Sequence, residues 1–239
     1  VLGHMAHEFS SILQLDGLLV KIAKSVRTLI NYDAFIVLEV DDERRELRSL
    51  FSQRYDQRVQ MESLPLGKGI TGAAATARQP VLSRDTATDA RYIESHAGIR
   101  SEVAVPLIVK DRVIGVMDLE SERVGYFNED HVRTLMLIAP SVASAIENAR
   151  LYQELEQREK AIQEDLEAAQ EVQSIMMPQT PPDVAGLEVG VRMKPARLVS
   201  GDVFDFFEYS DDHTMMAFGD SSGKGAAAAL YGALFSGLL

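Results

Sequence analysis

The sequence predicts an α+β fold in which a compact sheet-containing domain is followed by one long helix and a second, smaller β-rich segment. Two observations lead to this prediction. Short apolar runs separated by polar turns, such as residues 34–40 and 46–52, are typical of β-hairpins. A stretch without Gly or Pro from Ser141 to Met177, with apolar residues at alternating steps of three and four, is typical of a continuous helix.

The composition is that of a globular protein with an acidic balance. Hydrophobic residues make up 46% and charged residues 25% of the 239 positions, so the chain can bury a core. The formal net charge of −12 argues against nucleic acid as a partner, since such binding needs clustered Lys and Arg. The absence of cysteine excludes disulfides and thiol chemistry and is compatible with the cytoplasmic location that we expect. No apolar run reaches the roughly 18 residues that a membrane span requires, so no membrane insertion is expected.

We expect the first domain to span residues 9–150, after a cloning scar and a disordered start at residues 1–8. Apolar residues at helical spacing predict its first helix, and two alternating runs with polar turns predict its hairpins. Glycines and alanines between the hairpins predict a tight turn and a closely packed short helix. In order, the predicted elements are a helix over 9–29, a hairpin over 34–52, a short helix over 73–78 and a hairpin over 102–120.

The long helix carries a heptad repeat with only two apolar residues per heptad. Such a stripe is too narrow for packing on a globular domain, so we predict a parallel homodimeric coiled coil over 145–178. A lone amphipathic helix lying on its own domain is the alternative. Glu159 and Gln173 are polar seam positions that can fix the register, and the repeat continues backwards to Ala145 and Ile138. The predicted dimer seam consists of Tyr152, Leu155, Ile162, Leu166, Ala169 and Met176.

The last segment, residues 179–239, contains two acidic motifs on predicted strands. The predicted strands cover 187–192, 199–209 and 214–218. A polar turn over 210–213 separates the last two strands, and the acids within it serve more simply to solvate the loop than to bind metal. Asp202 and Asp220 lie nine positions either side of residue 211 in this turn, so antiparallel pairing would place them nearly opposite each other. Adjacent carboxylates repel unless they share a cation, and oxygen ligands favour Mg²⁺ or Mn²⁺.

The first domain carries a resemblance to a known family, which rests on the runs LPLGKGITGAAATARQPV, RSEVAVPLIVKDRVIGVMDLES and YFNEDHVRTLMLIAPSVASAIENARLY. In this order and spacing they resemble a GAF domain over residues 9–150. The resemblance implies a central antiparallel sheet, helices from both ends on one face, and a pocket for a small ligand of unknown identity on the other. His131 follows Asn128, a candidate N-cap, which favours a structural role for this histidine over haem ligation. The expected pocket residues are Phe35, Arg91, Tyr92 and Ser101.

A second resemblance covers residues 168–239 and rests on the runs AAQEVQSIMMP, GLEVGVRMKPARLVSGDVFDFFE and MMAFGDSSGKGAAAAL. These are similar to the opening of the SpoIIE-like (RsbU-like) branch of the PPM metal-dependent phosphatases, whose domain is an α/β/β/α sandwich. The resemblance implies two Mn²⁺ or Mg²⁺ ions bridged by Asp202 and Asp220. It also implies that the carbonyl of Ser221 is an additional ligand and that Asp205 lies just outside the coordination sphere. Ser200 stands where the family usually has glycine.

The reaction implied by this second resemblance is hydrolysis of phosphoserine or phosphothreonine on a partner protein. Two metal ions would activate a bridging water, so no side chain is expected to act as the nucleophile. The resemblance further implies a bacterial partner-switching pathway with a phosphorylated anti-sigma antagonist as substrate. Further acidic ligands are expected beyond Leu239, so this chain is interpreted as a truncated and inactive fragment of the phosphatase. The alternatives are a noncatalytic GAF module for dimerisation or ligand sensing, and a sensor with a vestigial phosphatase segment.

Overall fold

The computed structural model of the protein describes residues 8–9, 11–94, 96–178, 180–194, 198–210, 213–221 and 226–238. Most of the predicted cloning scar and the two acids at 211–212 lie outside the described residues. The chain divides into two compact units, Val1–Glu154 and Leu155–Leu239, and the long helix begins in the first and ends in the second.

A seven-stranded antiparallel sheet forms the centre of the first unit. Its strands are β1 (Ala34–Asp41), β2 (Glu46–Arg54), β3 (Gln57–Arg58), β4 (Leu64–Pro65), β5 (Val81–Ser83), β6 (Ser101–Val109) and β7 (Arg112–Ser121). The order across the sheet is β3-β2-β1-β7-β6-β5, and β4 pairs with β2. The β1–β2 and β6–β7 hairpins predicted from the sequence are therefore confirmed.

The two faces of this sheet carry separate cores. Helix α1 (Leu15–Leu29) and the first part of helix α3 (Glu129–Met176) pack on one face, against residues such as Val103. The short helix α2 (Gly69–Ala77) packs on the other face, against Ala104. This arrangement confirms the layering that the GAF resemblance implies. Helix α1 begins later than predicted, because the backbone at Gln14 is extended.

The N-terminal end of α2 lies against the preceding turn. A Cβ atom at Gly72 would lie 2.8 Å from the carbonyl carbon of Gly67, which is closer than real Cβ atoms approach. Gly67 itself has a φ of +85°, a conformation that favours glycine. These two glycines therefore allow the turn and the helix to lie close together on this face of the sheet.

Helix α3 is continuous over 48 residues, as the sequence predicts. It begins after Asn128, whose Oδ1 accepts hydrogen bonds from the backbone N–H groups of Asp130 and His131 at 2.9 and 3.1 Å. The predicted N-cap is thus confirmed. Pro140 lies inside the helix and does not end it, although proline removes one hydrogen bond of the ladder.

The predicted seam of α3 runs through two different environments. Ile138 and Ala145 belong to the core of the first unit and are 3% and 2% exposed. The backward extension of the seam was therefore wrong, because these positions pack inside their own domain. Further along, four predicted seam residues are between 39% and 60% exposed, and two are half-buried. The exposed ones are Tyr152, Leu155, Ile162 and Met176; the half-buried ones are Leu166 and Ala169.

The second unit contains an antiparallel hairpin of β8 (Asp202–Ser210) and β9 (His213–Asp220), followed by helix α4 (Ala226–Leu238). The hairpin confirms the sequence prediction. The strand predicted over 187–192 was wrong: in the described segment 180–194, only an isolated bridge joins Val184 to Leu187. Neither edge of the hairpin pairs with this segment, so an alternating sequence alone does not form a ladder. None of the helices in the described ranges combines the length and apolar character needed to cross a membrane.

Candidate functional site

Three carboxylates lie together on the face of the first sheet that α2 covers. Glu102 on β6 pairs with Glu120 on β7, and Asp118 is two residues before Glu120 on the same strand. Side chains two residues apart on a strand share a face, so all three point to the same side. Glu102, Asp118 and Glu120 are 4%, 1% and 1% exposed. We call these three residues the carboxylate cluster.

Burial changes the protonation of the cluster. Loss of hydration, followed by repulsion from the neighbouring carboxylates, raises the pKa of Glu102 and of Asp118 well above the ordinary carboxyl range. Interaction between the two side chains further raises the pKa of Asp118. The cluster therefore holds protons at pH values where exposed carboxyl groups have lost theirs.

The loop between β5 and β6 contacts the cluster from outside the sheet. Nδ1 of His96 lies 2.7 Å from Oε2 of Glu120, and the two side chains are 9% and 1% exposed. The hydroxyl of Tyr92 is buried without a hydrogen-bond partner in the described part of the chain, and burial, then the charge of Glu120, raises its pKa. Arg91 donates from Nε and Nη2 to the carboxylate of Asp89 at 2.9 and 2.8 Å. Chiefly through the side-chain hydrogen bond, this contact lowers the pKa of Asp89 to about 2.

The charges around the cluster are unbalanced in favour of acid. The arginines in the described part of this loop, Arg84, Arg91 and Arg100, are each paired with an acid outside the cluster, and the imidazole of His96 contacts Glu120. A buried carboxylate is stable only when it is neutralised by a proton or paired with a cation. A ligand ammonium or guanidinium group would supply such a cation. The arrangement therefore suits a small molecule that carries a positive charge.

Two of the predicted pocket residues lie elsewhere. Phe35 pairs with Leu119, so its side chain points away from the cluster and into the helix-covered core. Ser101 is adjacent to Glu102 on β6 and points to the opposite face; its hydroxyl donates to the carbonyl of Ser83 at 3.1 Å and accepts from the N–H of Phe127 at 3.3 Å. Assigning Phe35 and Ser101 to the ligand pocket was therefore wrong. The other two, Arg91 and Tyr92, are the loop residues described above.

The carboxylate cluster was not predicted from the sequence. Its residues occupy even-numbered positions in two strands that are otherwise almost entirely apolar and buried. Carboxylates are seldom fully buried unless they are paired. Acids repeated on one face of two neighbouring apolar strands were the signal that could have revealed the site.

The hairpin of the second unit also brings two carboxylates together. Its register places Asp202 directly opposite Asp220, as the sequence spacing predicts. Cross-strand partners share a face, with Cβ atoms about 4.5–5.5 Å apart. Both residues are exposed and line a cleft of about 660 Å³. Arg192 and Lys194 line the same cleft and place positive charge near the acids.

Hydrogen bonds and a close backbone approach hold the end of the hairpin where Asp202 and Asp220 lie. The hydroxyl of Ser200 donates to Oδ2 of Asp202 and accepts from the Asp202 N–H, both at 3.1 Å. The N–H of Ser221 donates to the carbonyl of Gly201 at 3.1 Å. A Cβ atom at Gly201 would lie 2.6 Å from Oγ of Ser221, so the strand ends approach each other closely because Gly201 has no side chain. The Ser221 carbonyl as a metal ligand stays a prediction.

Asp205 does not lie on the same side of the hairpin as the acidic pair. It is three residues after Asp202 on a regular part of β8, so its side chain points to the opposite face. Its Oδ1 accepts a hydrogen bond from the N–H of Phe206 at 2.8 Å. The structure therefore corrects the placement of Asp205 just outside the coordination sphere.

The pair of Asp202 and Asp220 fits part of a metal site. Carboxylate oxygens on one side of a hairpin are suitable ligands for Mg²⁺ or Mn²⁺. Within the described ranges, however, no group of three or more His, Cys, Asp or Glu side chains is placed to hold a metal ion. The hairpin thus offers two carboxylate ligands that can share a cation.

Comparison with known proteins gives consistent results for the first unit. The profile of the GAF domain matches residues 13–147. Free methionine-R-sulfoxide reductase of Escherichia coli is 29% identical over 103 residues, which are 43% of this chain and 58% of that protein. Protein IcfG of Synechocystis sp. is 36% identical over 75 residues, which are 31% of this chain and 12% of that protein. The chain thus spans less than two thirds of either relative.

A solved structure shows the same fold. The X-ray structure of free methionine-R-sulfoxide reductase from Neisseria meningitidis in complex with its substrate superposes with a TM-score of 0.57 at 24% sequence identity. The superposition covers 63% of this chain and 89% of that chain. At this identity, the likeness establishes a common fold for the first unit.

We expect Asp118→Asn to stabilise the protein at pH 8 and to change its stability little near pH 4. Because the pKa of Asp118 is raised in the folded state, the folded protein binds more protons than the unfolded one, and stability falls as the pH rises above the ordinary carboxyl pKa. The asparagine amide has the same shape as the carboxyl group but does not ionise, so the substitution removes this loss of stability at high pH. Thermal unfolding at pH 8 should show a midpoint roughly 2–4 °C above wild type, the shift that corresponds to about 1 kcal/mol.

The matched control for this comparison is Asp165→Asn on the exposed surface of α3. It should leave the midpoint unchanged at both pH values, since an exposed carboxylate remains hydrated. Equal stabilisation by Asp118→Asn at pH 4 and pH 8 would contradict the role of buried charge.

Proposed function

The chain belongs to the GAF domain family, and on that premise we propose that its first unit is a sensor for a small positively charged or zwitterionic molecule. The observation that supports this proposal most strongly is the burial of Glu102, Asp118 and Glu120 together on one face of the sheet, beside the imidazole of His96. A ligand cation would join the cluster and displace its protons. Binding would thus pair the buried carboxylates with a cation and offset the free-energy cost of burying them.

The chemistry of the cluster favours an ammonium group. An ammonium group has three N–H donors, and three carboxylates on one face provide acceptors for them. Hydrogen bonds between charged groups are about twice as strong as neutral ones. The buried hydroxyl of Tyr92 is available to a second polar group of the ligand. A free amino acid has the ammonium group and the further polar groups that this site would recognise.

One relative suggests a first ligand to test. By its name, the Escherichia coli protein reduces free methionine-R-sulfoxide, which carries an amino-acid ammonium group. We propose that this sulfoxide, or an amino acid of similar size, is bound by the carboxylate cluster. This chain has no cysteine, so reduction of a sulfoxide by a protein thiol is not available to it. The proposed role is therefore recognition of the ligand without its conversion.

We further propose that the second unit belongs to a metal-dependent phosphoserine and phosphothreonine protein phosphatase that the GAF domain controls. The direct opposition of Asp202 and Asp220 supports this proposal. Arg192 and Lys194 in the same cleft would attract a phosphoryl group. Bound Mn²⁺ or Mg²⁺ would supply an activated water. On the resemblance of its sequence, the proposed substrate is a phosphorylated anti-sigma antagonist.

The long helix is the proposed connection between sensing and output. Tyr152, Leu155 and Ile162 are 45%, 54% and 60% exposed, which supports pairing of α3 with a second copy as a parallel coiled coil. Polar seam residue Glu159 would then fix the register. A ligand changes this pairing only if it binds two arrangements with different affinity. The same helix would therefore transmit ligand binding as a change in its pairing.

The first prediction from this proposal concerns ligand binding. Isothermal titration of the protein with free methionine-R-sulfoxide should show binding, and Asp118→Asn should weaken it at least about tenfold, because a charge-assisted hydrogen bond contributes roughly 1.5–3 kcal/mol. Asp165→Asn, an exposed position on α3, is the control that should retain wild-type affinity. Equal affinity in wild type and Asp118→Asn would place the ligand outside the cluster. No binding of the sulfoxide or of free amino acids would reject an amino-acid sensor.

The second prediction concerns phosphatase catalysis. Mn²⁺-dependent hydrolysis of a phosphoprotein should fall by at least about 100-fold in Asp202→Asn and in Asp220→Asn, since a lost ligand outweighs the 10–100-fold effect of an outer-shell partner. Asp183→Asn is an exposed acid of the same unit and should keep full activity. Activity that survives both ligand substitutions would favour the noncatalytic GAF module instead.

The third prediction concerns the oligomeric state. Native mass spectrometry at micromolar concentration should give twice the mass of one chain. Leu155→Glu combined with Ile162→Glu should give a monomer, because charges would replace the apolar seam. Gln157→Glu, an exposed position outside the seam, should remain dimeric. A monomeric wild type would remove the coiled coil from the proposed mechanism.

A further inference from the structure

One side chain ties the last turn of α3 to the entry of β8. Nε2 of Gln173 donates to the carbonyl oxygen of Ser200 at 2.6 Å, and Oε1 accepts from the Ser200 N–H at 3.0 Å. Gln173 and Ser200 are 7% and 8% exposed. The amide thus pairs both backbone groups of Ser200, as a neighbouring strand would. The prediction that Gln173 is a polar residue of the dimer seam was therefore wrong, because its side chain forms its hydrogen bonds within its own chain.

The contact continues from Ser200 to Asp202. The hydroxyl of Ser200 accepts from the N–H of Asp202 and donates to its Oδ2, both at 3.1 Å. These two bonds fix the carboxylate relative to the backbone of Ser200. Since Gln173 fixes that backbone, the orientation of Asp202 depends on the side chain of Gln173. Asp202 in turn lies opposite Asp220.

A purely structural role does not explain the choice of glutamine at this position. Met177, the residue after α3, is also buried at 8% exposure, so an apolar side chain is accommodated four residues further along the chain. Burying an amide is unfavourable unless its hydrogen bonds are made, and an apolar residue of similar volume avoids this requirement. Glutamine, unlike an apolar residue, fixes the orientation of the Ser200 backbone through hydrogen bonds. Ser200 in turn contacts Asp202, one of the two carboxylates of the cleft.

We infer that Gln173 is a positioning residue for the acidic pair: it holds Ser200, and Ser200 directs the carboxylate of Asp202. This inference rests on the proposed metal site at Asp202 and Asp220. It assigns the end of α3 a direct connection to that site. Displacement of the last turn of α3 moves Ser200 and changes the orientation of Asp202, so cation affinity depends on the position of the helix end.

The test is Mn²⁺ affinity, measured on the protein from the loss of the free-ion electron paramagnetic resonance signal. Gln173→Met keeps the volume and removes both hydrogen bonds, and it should weaken Mn²⁺ binding by about 10-fold or more, as loss of outer-shell partners does. Gln170→Met is the matched control, because Gln170 is exposed on the same helix three residues earlier. It should bind Mn²⁺ like the wild type.

A second variant separates positioning from folding. Ser200→Ala keeps the backbone pairing with Gln173 but removes the hydroxyl that contacts Asp202. It should lower Mn²⁺ affinity while the thermal midpoint stays close to wild type. If Gln173→Met fails to fold, this variant decides the question. Unchanged affinity in Ser200→Ala would then overturn the inference.

The outcomes also distinguish this inference from the metal proposal beneath it. Suppose that Asp202→Asn abolishes Mn²⁺ binding, while Gln173→Met and Ser200→Ala bind Mn²⁺ within about twofold of wild type. This result would overturn the positioning role and retain the metal site. Absence of Mn²⁺ binding, or binding insensitive to Asp202→Asn, would overturn both. Selective weakening in the two variants, with the wild-type midpoint retained in Ser200→Ala, supports both.

Discussion

The pairing of β6 with β7 is the constraint on which the first unit depends. Its register sends apolar residues such as Val103 to the face that α1 and α3 cover, and it brings Glu102, Asp118 and Glu120 together on the other face. A one-residue shift would exchange the two faces and bury the acids beneath the helices. The same hydrogen-bond ladder therefore builds the core and assembles the candidate ligand site.

The two acidic sites differ because their carboxylates differ in hydration. Those of the carboxylate cluster are removed from water, so they need protons or a ligand cation close to them. Asp202 and Asp220 remain exposed, so water reaches both carboxyl groups on the same face of the hairpin. Burial thus suits the first site to an organic cation. Exposure and direct opposition suit the second to a hydrated divalent ion.

Helix α3 has three successive roles along one continuous backbone. Ile138 completes the core of the first unit, Leu155 and Ile162 are exposed on an apolar stripe, and Gln173 pairs with the backbone before β8. The helix runs through all three positions as one element, with Pro140 inside it, so a change in one part of the helix bears on the next. This continuity is the physical basis for proposing that α3 links recognition in one unit to the acidic pair of the other.

The sequence by itself determined the features that depend on neighbouring residues. Hairpin turns and period-two patterns predict pairing between adjacent strands, and this was enough to place Asp202 opposite Asp220. Tertiary structure decided which face of each strand is covered and which buried polar groups meet. It put Phe35 in the helix-covered core, gathered the carboxylate cluster, and paired Gln173 with Ser200, 27 residues away. These contacts depend on packing between distant segments, for which local periodicity carries no information.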